Sequence, residues 1–268
     1  MQNLLIAGCG DLGVRLARRL DRERWQVHGL RRNPSYLPSG IVPVGADLLE
    51  PASLQSVRGD WDAIIYQATP EARTAEAYEA AYVEGLSNLL AQTHSPRLIF
   101  VSSTAVYGQD DGAWVDEDTE TRPSSFSGRI LCKAERLAHD HGGHVVRFSG
   151  IYGPGREYLI RSVRSGQARC RATPPQWTNR IHAEDCAAVL THLLTLSSPA
   201  PLYCASDNRP APRCEVLDWL AGELGVAPPQ RDAAPSGQGK RVANQQLVSS
   251  GFSFQYPDYI SGYRELLS

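Results

Sequence analysis

Three glycines near the amino terminus have the spacing of a phosphate-binding turn. Gly8, Gly10 and Gly13 form a G-x-G-x-x-G pattern between the apolar run NLLIAG and the amphipathic stretch LGVRLARRL. Without side chains such a turn can be tight, and its backbone can approach a pyrophosphate. The free N–H groups at the start of the following helix then bind the negative charge. The pattern therefore predicts a dinucleotide site. The alternative is a tight glycine turn that binds nothing.

Two arginines follow the next apolar run, at the place where the type of dinucleotide is usually recognised. In NAD sites this strand ends in an acid, roughly twenty residues beyond the glycines, that binds the ribose 2′-hydroxyl. Here Leu30 stands at that place, and Arg31 and Arg32 follow it. Because guanidinium groups bind a phosphate with paired hydrogen bonds, the pattern favours NADP(H), with NAD(H) as the alternative. If these arginines are only solvated surface charges, the preference loses its basis.

Short apolar runs alternate with helical patterns along most of the chain. The longest predicted helix covers about 72–92, and a short one opens at Pro51. Strands are predicted at 3–8, 25–30, 42–47, 62–68, 97–103, 144–149 and 201–206. Strict alternation implies βαβ units and a parallel sheet covered by helices on both faces. The predicted fold class is α/β, a Rossmann doubly wound parallel sheet with a small C-terminal substrate lobe.

The regular alternation weakens after about residue 150, which predicts two regions. The dinucleotide-binding core is expected over residues 1–152 and is rejoined by about 179–206. The substrate lobe is expected over 153–178 and 207–268.

Composition and charge disfavour several classes of function. The 268 residues have a net charge of −2, so there is no electrostatic case for nucleic acid or an anionic membrane. No apolar run reaches the roughly 18 residues that cross a bilayer. The six cysteines show no C-x-x-C pair and no metal-ligand spacing, so no metal is expected and a reduced, cytoplasmic compartment is the simplest interpretation. The expected partner is a small-molecule substrate.

Several motifs follow one another along the chain: GCGDLG, GADLLEPASL, YQATP, FVSSTAVYG, RFSGIYGPGR and RIHAEDCAAVL. In this order they resemble the NAD(P)-dependent epimerase/dehydratase branch of the extended short-chain dehydrogenase/reductases. The resemblance covers nearly the whole chain and is compatible with a homodimer. It implies cofactor contacts from Gly8, Gly10, Asp11, Leu12, Gly13, Asp47, Leu48, Ala68, Thr69, Lys133 and Tyr152.

The resemblance also implies a catalytic centre, from which one residue is missing. Members of the family use a tyrosine four residues before a lysine that lowers the tyrosine pKa and holds the nicotinamide ribose. Lys133 matches the lysine, but Arg129 stands in the tyrosine position. Arginine cannot act as a general acid near neutral pH, since its pKa exceeds about 12. Arg129 is therefore predicted to stabilise an oxyanion or bind an anionic group, and Ser103 or Thr104 to hold the substrate oxygen.

Tyr82 is a candidate for a displaced proton donor. In YVEGLSNLL it stands where many members have an asparagine, on a helix that runs beside the active site in this fold. The alternative is an aromatic side chain packed between sheet and helix. Thr104 and Ala105 replace the carboxyl pair of the sugar-nucleotide dehydratases, so dehydration is disfavoured.

Two functions fit these residues. The first is NAD(P)(H)-dependent oxidoreduction or epimerisation, through hydride transfer at a hydroxyl or carbonyl of a small polar molecule, with a sugar nucleotide as one candidate. The second is a non-catalytic sensor or regulator that binds NADP(H). The missing tyrosine favours the second, whereas the retained serine, lysine and YGPG loop argue against it.

Overall fold

The chain folds into two compact units. The structure, a computed structural model, describes residues 1–232 and 237–268. The first unit comprises Met1–Val106, Pro123–Arg147 and Ala187–Tyr203. The second comprises Tyr107–Arg122, Phe148–Cys186 and Cys204–Ser268. Residues 233–236, which belong to the expected substrate lobe, lie outside the described residues.

A sheet of seven strands organises the first unit. The strands are β1 (Gln2–Ala7), β2 (Trp25–Arg31), β3 (Val42–Gly45), β4 (Ala63–Tyr66), β5 (Leu98–Ser103), β6 (His144–Phe148) and β7 (Leu202–Ala205). Their order is β7-β6-β5-β4-β1-β2-β3, and the neighbours from β3 to β5 pair in parallel. The order reverses between β1 and β4, which is the switch point of a Rossmann sheet and the place where such folds bind dinucleotides. The predicted fold class is confirmed.

Helices α1 to α9 span, in chain order, Asp11–Arg19, Ala75–Glu79, Gly85–Leu90, Phe126–Asp140, Tyr158–Arg164, Ala183–Thr195, Arg213–Leu224, Gln245–Ser249 and Tyr259–Leu267. The helix predicted at Pro51 is a 3₁₀ turn over Ser53–Val57. Among the described residues, no helix is long and apolar enough to cross a membrane.

The long helix predicted at about 72–92 is interrupted by a π-helical turn. The turn covers Ala80–Glu84, between α2 and α3. Its cause is the hydroxyl of Tyr66, which donates to the Ala81 carbonyl at 2.5 Å and takes that oxygen out of the helical ladder. The Gly85 N–H then reaches back to the Ala80 carbonyl. A Cβ at Gly85 would lie 2.7 Å from the Tyr66 hydroxyl, so this approach needs glycine. Such turns occur often at functional sites.

A buried ion pair ties α4 to the sheet. Glu135 on α4 accepts from the Arg147 guanidinium of β6 at 2.9 and 2.6 Å, and from the Ser102 hydroxyl of β5 at 2.5 Å. Only 4% of Glu135 and 6% of Arg147 are exposed. Because charges are costly to bury without partners, the two side chains fix where α4 lies on the sheet.

The second unit has an apolar core of its own, to which α5, α7 and α9 contribute. Ile160, Val163, Leu217 and Tyr263 belong to it. A disulfide joins Cys170 and Cys214 within this unit. The bond differs from what a reduced compartment, the simplest interpretation of the cysteines, implies. The two cysteines are 44 residues apart, and spacing alone cannot identify such a pairing.

Candidate functional site

The turn between β1 and α1 brings bare backbone to the switch point of the sheet. Gly8 has φ of +80°, and an added Cβ would lie 2.5 Å from the backbone of Ala68. A Cβ at Gly13 would meet the Gln67 side chain at 2.5 Å, so α1 packs closely on the sheet. At Gly10, the N-cap of α1, no atom comes nearer than 3.9 Å to such a Cβ, and no side chain caps the helix. The start of α1 thus has no side-chain cap, an arrangement that suits the binding of an anion there.

A cavity of about 310 Å³ opens beside this turn. Its lining comes from the carboxyl ends of β1, β2 and β4, from the segment after β3, and from α2 and the π-helical turn. The lining residues that the sequence analysis predicts as cofactor contacts are Gly8, Gly10, Arg31, Arg32, Asp47, Leu48, Ala68 and Thr69. Cys9, Leu30, Ala46, Leu49, Glu71, Ala77, Ala80 and Ala81 also line it. The structure thus brings the glycine turn and both arginines into one cavity of the first unit.

The two arginines have different surroundings. The Arg31 guanidinium lies over the Tyr36 ring, 6.0 Å from its centre. Burial raises the pKa of the Cys9 thiol to about 11, and the positive charge of Arg31 acts in the opposite direction. Arg32 forms an ion pair with Glu71, which also lines the cavity. Glu71 was not predicted, because nothing in the sequence shows that the segments after β2 and β4 meet.

Five predicted cofactor residues do not line the cavity: Asp11, Leu12, Gly13, Lys133 and Tyr152. Asp11 accepts from the Arg15 side chain at 2.9 Å, one turn along α1. Leu12 and Gly13 are buried against the sheet. Asp47 does line the cavity, and its carboxylate accepts from the Leu49 N–H at 3.0 Å, which holds the segment after β3 in a turn.

Helix α4 packs closely on the segment that follows β5, at the residue before Arg129. A Cβ at Gly128 would lie 2.5 Å from the Ala105 carbonyl, so only glycine allows this approach. The next residue, Arg129, is exposed and donates to the Ser124 carbonyl at 3.1 Å. Ser103 is half-buried, and its hydroxyl accepts from the Ala105 N–H at 3.2 Å. Thr104 is 9% exposed. Arg129, which the resemblance assigns to the tyrosine position, lies on a solvent-accessible face of α4.

Lys133 lies one turn beyond Arg129 on α4 and is paired with an acid. Its ammonium group donates to both oxygens of Glu79, at 3.1 and 3.2 Å. About half of each side chain is exposed, so the pair adds little to the free energy of unfolding. Lys133 can therefore exchange Glu79 for another partner. Glu79 ends α2, and its place beside Lys133 was not predicted.

Tyr82 is packed in an aromatic cluster of the first unit. Its ring lies 5.5 Å from that of Tyr78 and 6.3 Å from that of Phe100, while Tyr78 also contacts Phe126. Burial, with a smaller effect from Tyr78, raises the pKa of Tyr82 to about 12. A tyrosine that transfers protons near neutral pH needs its pKa lowered. These surroundings favour the packing interpretation over the displaced donor.

In the second unit, Tyr152 is 4% exposed. Its ring lies 4.5 Å from that of Tyr263 and 5.2 Å from that of His182. Its predicted contact with the nicotinamide stays a prediction. The nearby Asp185 accepts from the N–H groups of Gln255 and Tyr256 at 2.8 and 2.9 Å, and so anchors the segment before α9.

The buried Asp207 in the second unit is expected to make the free energy of unfolding depend on pH. It is 1% exposed, and burial raises its pKa to about 7, against the opposing effects of Arg180 and the Arg209 N–H. Asp258 and Asp185 raise the pKa further. The folded state therefore holds this proton more tightly than the unfolded state, whose carboxyl has a pKa near 3.8. The contribution of protonated Asp207 to the free energy of unfolding is therefore complete below about pH 4. It is lost as the pH rises towards 7.

Asp207→Asn removes this titration and keeps an oxygen for the Arg209 N–H. Between pH 5 and 7, we expect the free energy of unfolding of the wild type to fall with rising pH, by up to about 1.4 kcal/mol per pH unit. In the variant, the fall should be smaller. Urea unfolding at several pH values measures the difference. The exposed Asp60→Asn is the control, and equal pH dependence in all three proteins would show that Asp207 does not titrate in this range.

Comparison with known proteins agrees with this geometry. Residues 4–201 match the model of the NAD dependent epimerase/dehydratase family. Protein YeeZ of Escherichia coli K12 is 31% identical, over 96% of this chain and 97% of its own length. D-erythronate dehydrogenase of Cupriavidus necator is 30% identical over 66% of this chain and 67% of its own. A Methylobacillus flagellatus structure assigned as an NAD-dependent epimerase/dehydratase is 40% identical, with a TM-score of 0.86, and covers 99% of this chain and 97% of its own.

These matches define the class of protein, a Rossmann-fold protein of the epimerase/dehydratase type. The chain belongs to the NAD-dependent epimerase/dehydratase family. The resemblance inferred from its motifs is confirmed.

Proposed function

We propose that the protein is a nicotinamide-dinucleotide-dependent oxidoreductase or epimerase that prefers NADP(H). The observation that carries the proposal is the shared cavity: the glycine turn, the open start of α1, Arg31 and Arg32 all face one space. The backbone N–H groups suit a pyrophosphate, and the guanidinium groups suit a ribose 2′-phosphate. Family membership and the dehydrogenase relative support an enzyme. We propose a cytoplasmic location, which the sequence analysis favours.

The residues around α4 and the end of β5 have the following proposed roles. The nucleotide supplies or accepts a hydride when bound. Ser103 or Thr104 holds the reacting oxygen of the substrate. Lys133 leaves Glu79 and binds the nicotinamide ribose, which its exposed ion pair permits. Arg129 stabilises negative charge on the substrate, and the group that transfers the proton is unassigned.

The substrate class is a small polar molecule with a hydroxyl or carbonyl group. The relative named D-erythronate dehydrogenase supports oxidation of a hydroxyl, and a sugar nucleotide is a second candidate. Thr104 and Ala105 provide no carboxyl pair for water elimination, so dehydration is disfavoured. No nucleic acid is expected as a partner, and a homodimer is compatible with the family.

A second candidate function is a sensor that binds NADP(H) without chemistry. It is favoured by the arginine at the tyrosine position and by the pairing of Lys133 with Glu79. Turnover separates the two functions. In one direction, the protein is mixed with NADPH or NADH and a set of small carbonyl compounds. In the other, it is mixed with the oxidised nucleotides and either hydroxy acids or sugar nucleotides. The absorbance of the reduced nicotinamide is followed in both. Turnover that Ser103→Ala lowers supports the enzyme, and binding without turnover supports the sensor.

Tyr82→Phe is expected to keep most of any turnover. The hydroxyl of Tyr82 has a raised pKa, and its ring packs in the aromatic cluster, so phenylalanine preserves the contacts that matter. Steady-state kinetics of the variant test this. Tyr82→Ala is the matched control and should lose stability because it empties the cluster. A drop of more than about 100-fold in kcat for Tyr82→Phe is typical of a lost general acid. Such a drop would support the hypothesis that Tyr82 is the displaced proton donor.

A further inference from the structure

The cavity has an acid opposite the arginines, although no acid ends β2. Glu71 follows β4, Arg32 follows β2, and β1 lies between these strands in the sheet. The Glu71 and Arg32 side chains meet in an ion pair, and both residues line the cavity. Their side chains are 67% and 62% exposed, so a ligand in the cavity can reach either of them.

Glu71 is the lining carboxylate that remains able to change partners. Among the described lining residues, the carboxylates are Asp47 and Glu71. Asp47 accepts from the Leu49 N–H within its own turn, and its own N–H donates to the Ser53 hydroxyl, which fixes its place. The Glu71–Arg32 pair is exposed, and exposed pairs are weak enough to open when a stronger partner arrives.

NADP(H) and NAD(H) differ at the ribose 2′ position, which the proposed function assigns to the side of the cavity lined by Arg31, Arg32 and Glu71. A 2′-phosphate attracts Arg31 and Arg32, but it must draw Arg32 away from Glu71 and is repelled by that carboxylate. A free 2′-hydroxyl can donate a hydrogen bond to a carboxylate, as it does to the acid that ends this strand in NAD sites. The Arg31 guanidinium lies over the Tyr36 ring instead.

We propose that Glu71 is a specificity-determining residue that sets the ratio in which the cavity accepts NADP(H) and NAD(H). It does so by holding Arg32 and by offering an acceptor to an unphosphorylated ribose. The inference rests on the proposed function, since it needs a nicotinamide dinucleotide in this cavity. In this proposal Glu71, in the segment after β4, replaces the acid that is missing from the end of β2.

The test is the affinity of Glu71→Gln for each nucleotide. NADPH should bind about fivefold more tightly and NADH no more tightly than to the wild type, as measured by isothermal titration calorimetry. Glu76→Gln makes the same change of charge at an exposed position on α2 that does not line the cavity, and should leave both affinities unchanged. In an Arg32→Ala background, the gain in NADPH affinity from Glu71→Gln should shrink, because the arginine that it releases is gone.

The outcomes separate the inference from the proposed function. If the wild type binds a nucleotide and Glu71→Gln leaves the ratio of NADPH to NADH affinity unchanged, only the role of Glu71 is overturned. An equal shift from Glu76→Gln would also overturn it, since the effect would then come from net charge. If the wild type binds neither nucleotide, the proposed function fails and this inference fails with it.

Discussion

Glu135→Ala should remove about 3–5 kcal/mol from the free energy of unfolding. The substitution takes away the carboxylate that accepts two bonds from the buried Arg147 guanidinium and one from the Ser102 hydroxyl. The guanidinium then stays buried without the carboxylate that balances its charge. Burial leaves little water to replace the lost bonds, so the penalty is far larger than for a surface pair. Urea denaturation monitored by circular dichroism measures the change.

The control for Glu135→Ala is Glu120→Ala. Glu120 pairs with Arg122 through the same chemical groups, but both side chains are more than 70% exposed. Its loss should cost less than about 1 kcal/mol. If Glu135→Ala costs no more than this control, the pair does not position α4. A large loss in the free energy of unfolding would show that the pair holds α4 in place, and α4 is the helix that carries Arg129 and Lys133.

Replacing Arg31 and Arg32 together by alanine should weaken NADPH binding by about 10- to 100-fold and change NADH binding little. Both guanidinium groups line the cavity, and charge-assisted hydrogen bonds to a phosphate contribute about 1.5–3 kcal/mol. NADH has no 2′-phosphate, so it loses none of these bonds. Titration of both nucleotides against the wild type and the double variant gives the two ratios.

Arg58→Ala is the matched control for the double variant. Arg58 is exposed and does not line the cavity, so its loss should leave both affinities unchanged. An unchanged NADPH affinity in the double variant would refute the NADP(H) preference while leaving dinucleotide binding intact. A parallel loss for NADPH and NADH would show that the arginines hold a part of the cofactor that both nucleotides share.

The fold follows from local patterns in the sequence. Most strands of the sheet are short apolar runs, and α1 and α4 are amphipathic, so the alternation is visible without any distant contact. The glycine turn was predictable for the same reason, because Gly8, Gly10 and Gly13 lie within six residues and act through the backbone. The structure puts this turn at the switch point between β1 and β4.

The partners of charged side chains could not be predicted in this way. Glu71 meets Arg32, and Glu79 meets Lys133, only because separate strands and helices come together in the folded chain. The π-helical turn has the same origin, since the Tyr66 hydroxyl reaches Ala81 from a strand. The Cys170–Cys214 bond also joins distant segments. None of these contacts has a local signal in the sequence.

Direct binding of NADPH and NADH to the wild-type protein tests the central claim most simply. The cavity beside the β1–α1 turn should bind a nicotinamide dinucleotide, with NADPH the tighter of the two. Isothermal titration calorimetry with each nucleotide gives both dissociation constants in one series. We predict micromolar binding of NADPH and weaker binding of NADH. Failure of both nucleotides to bind below about millimolar concentration, a threshold of roughly 4 kcal/mol, would contradict the claim.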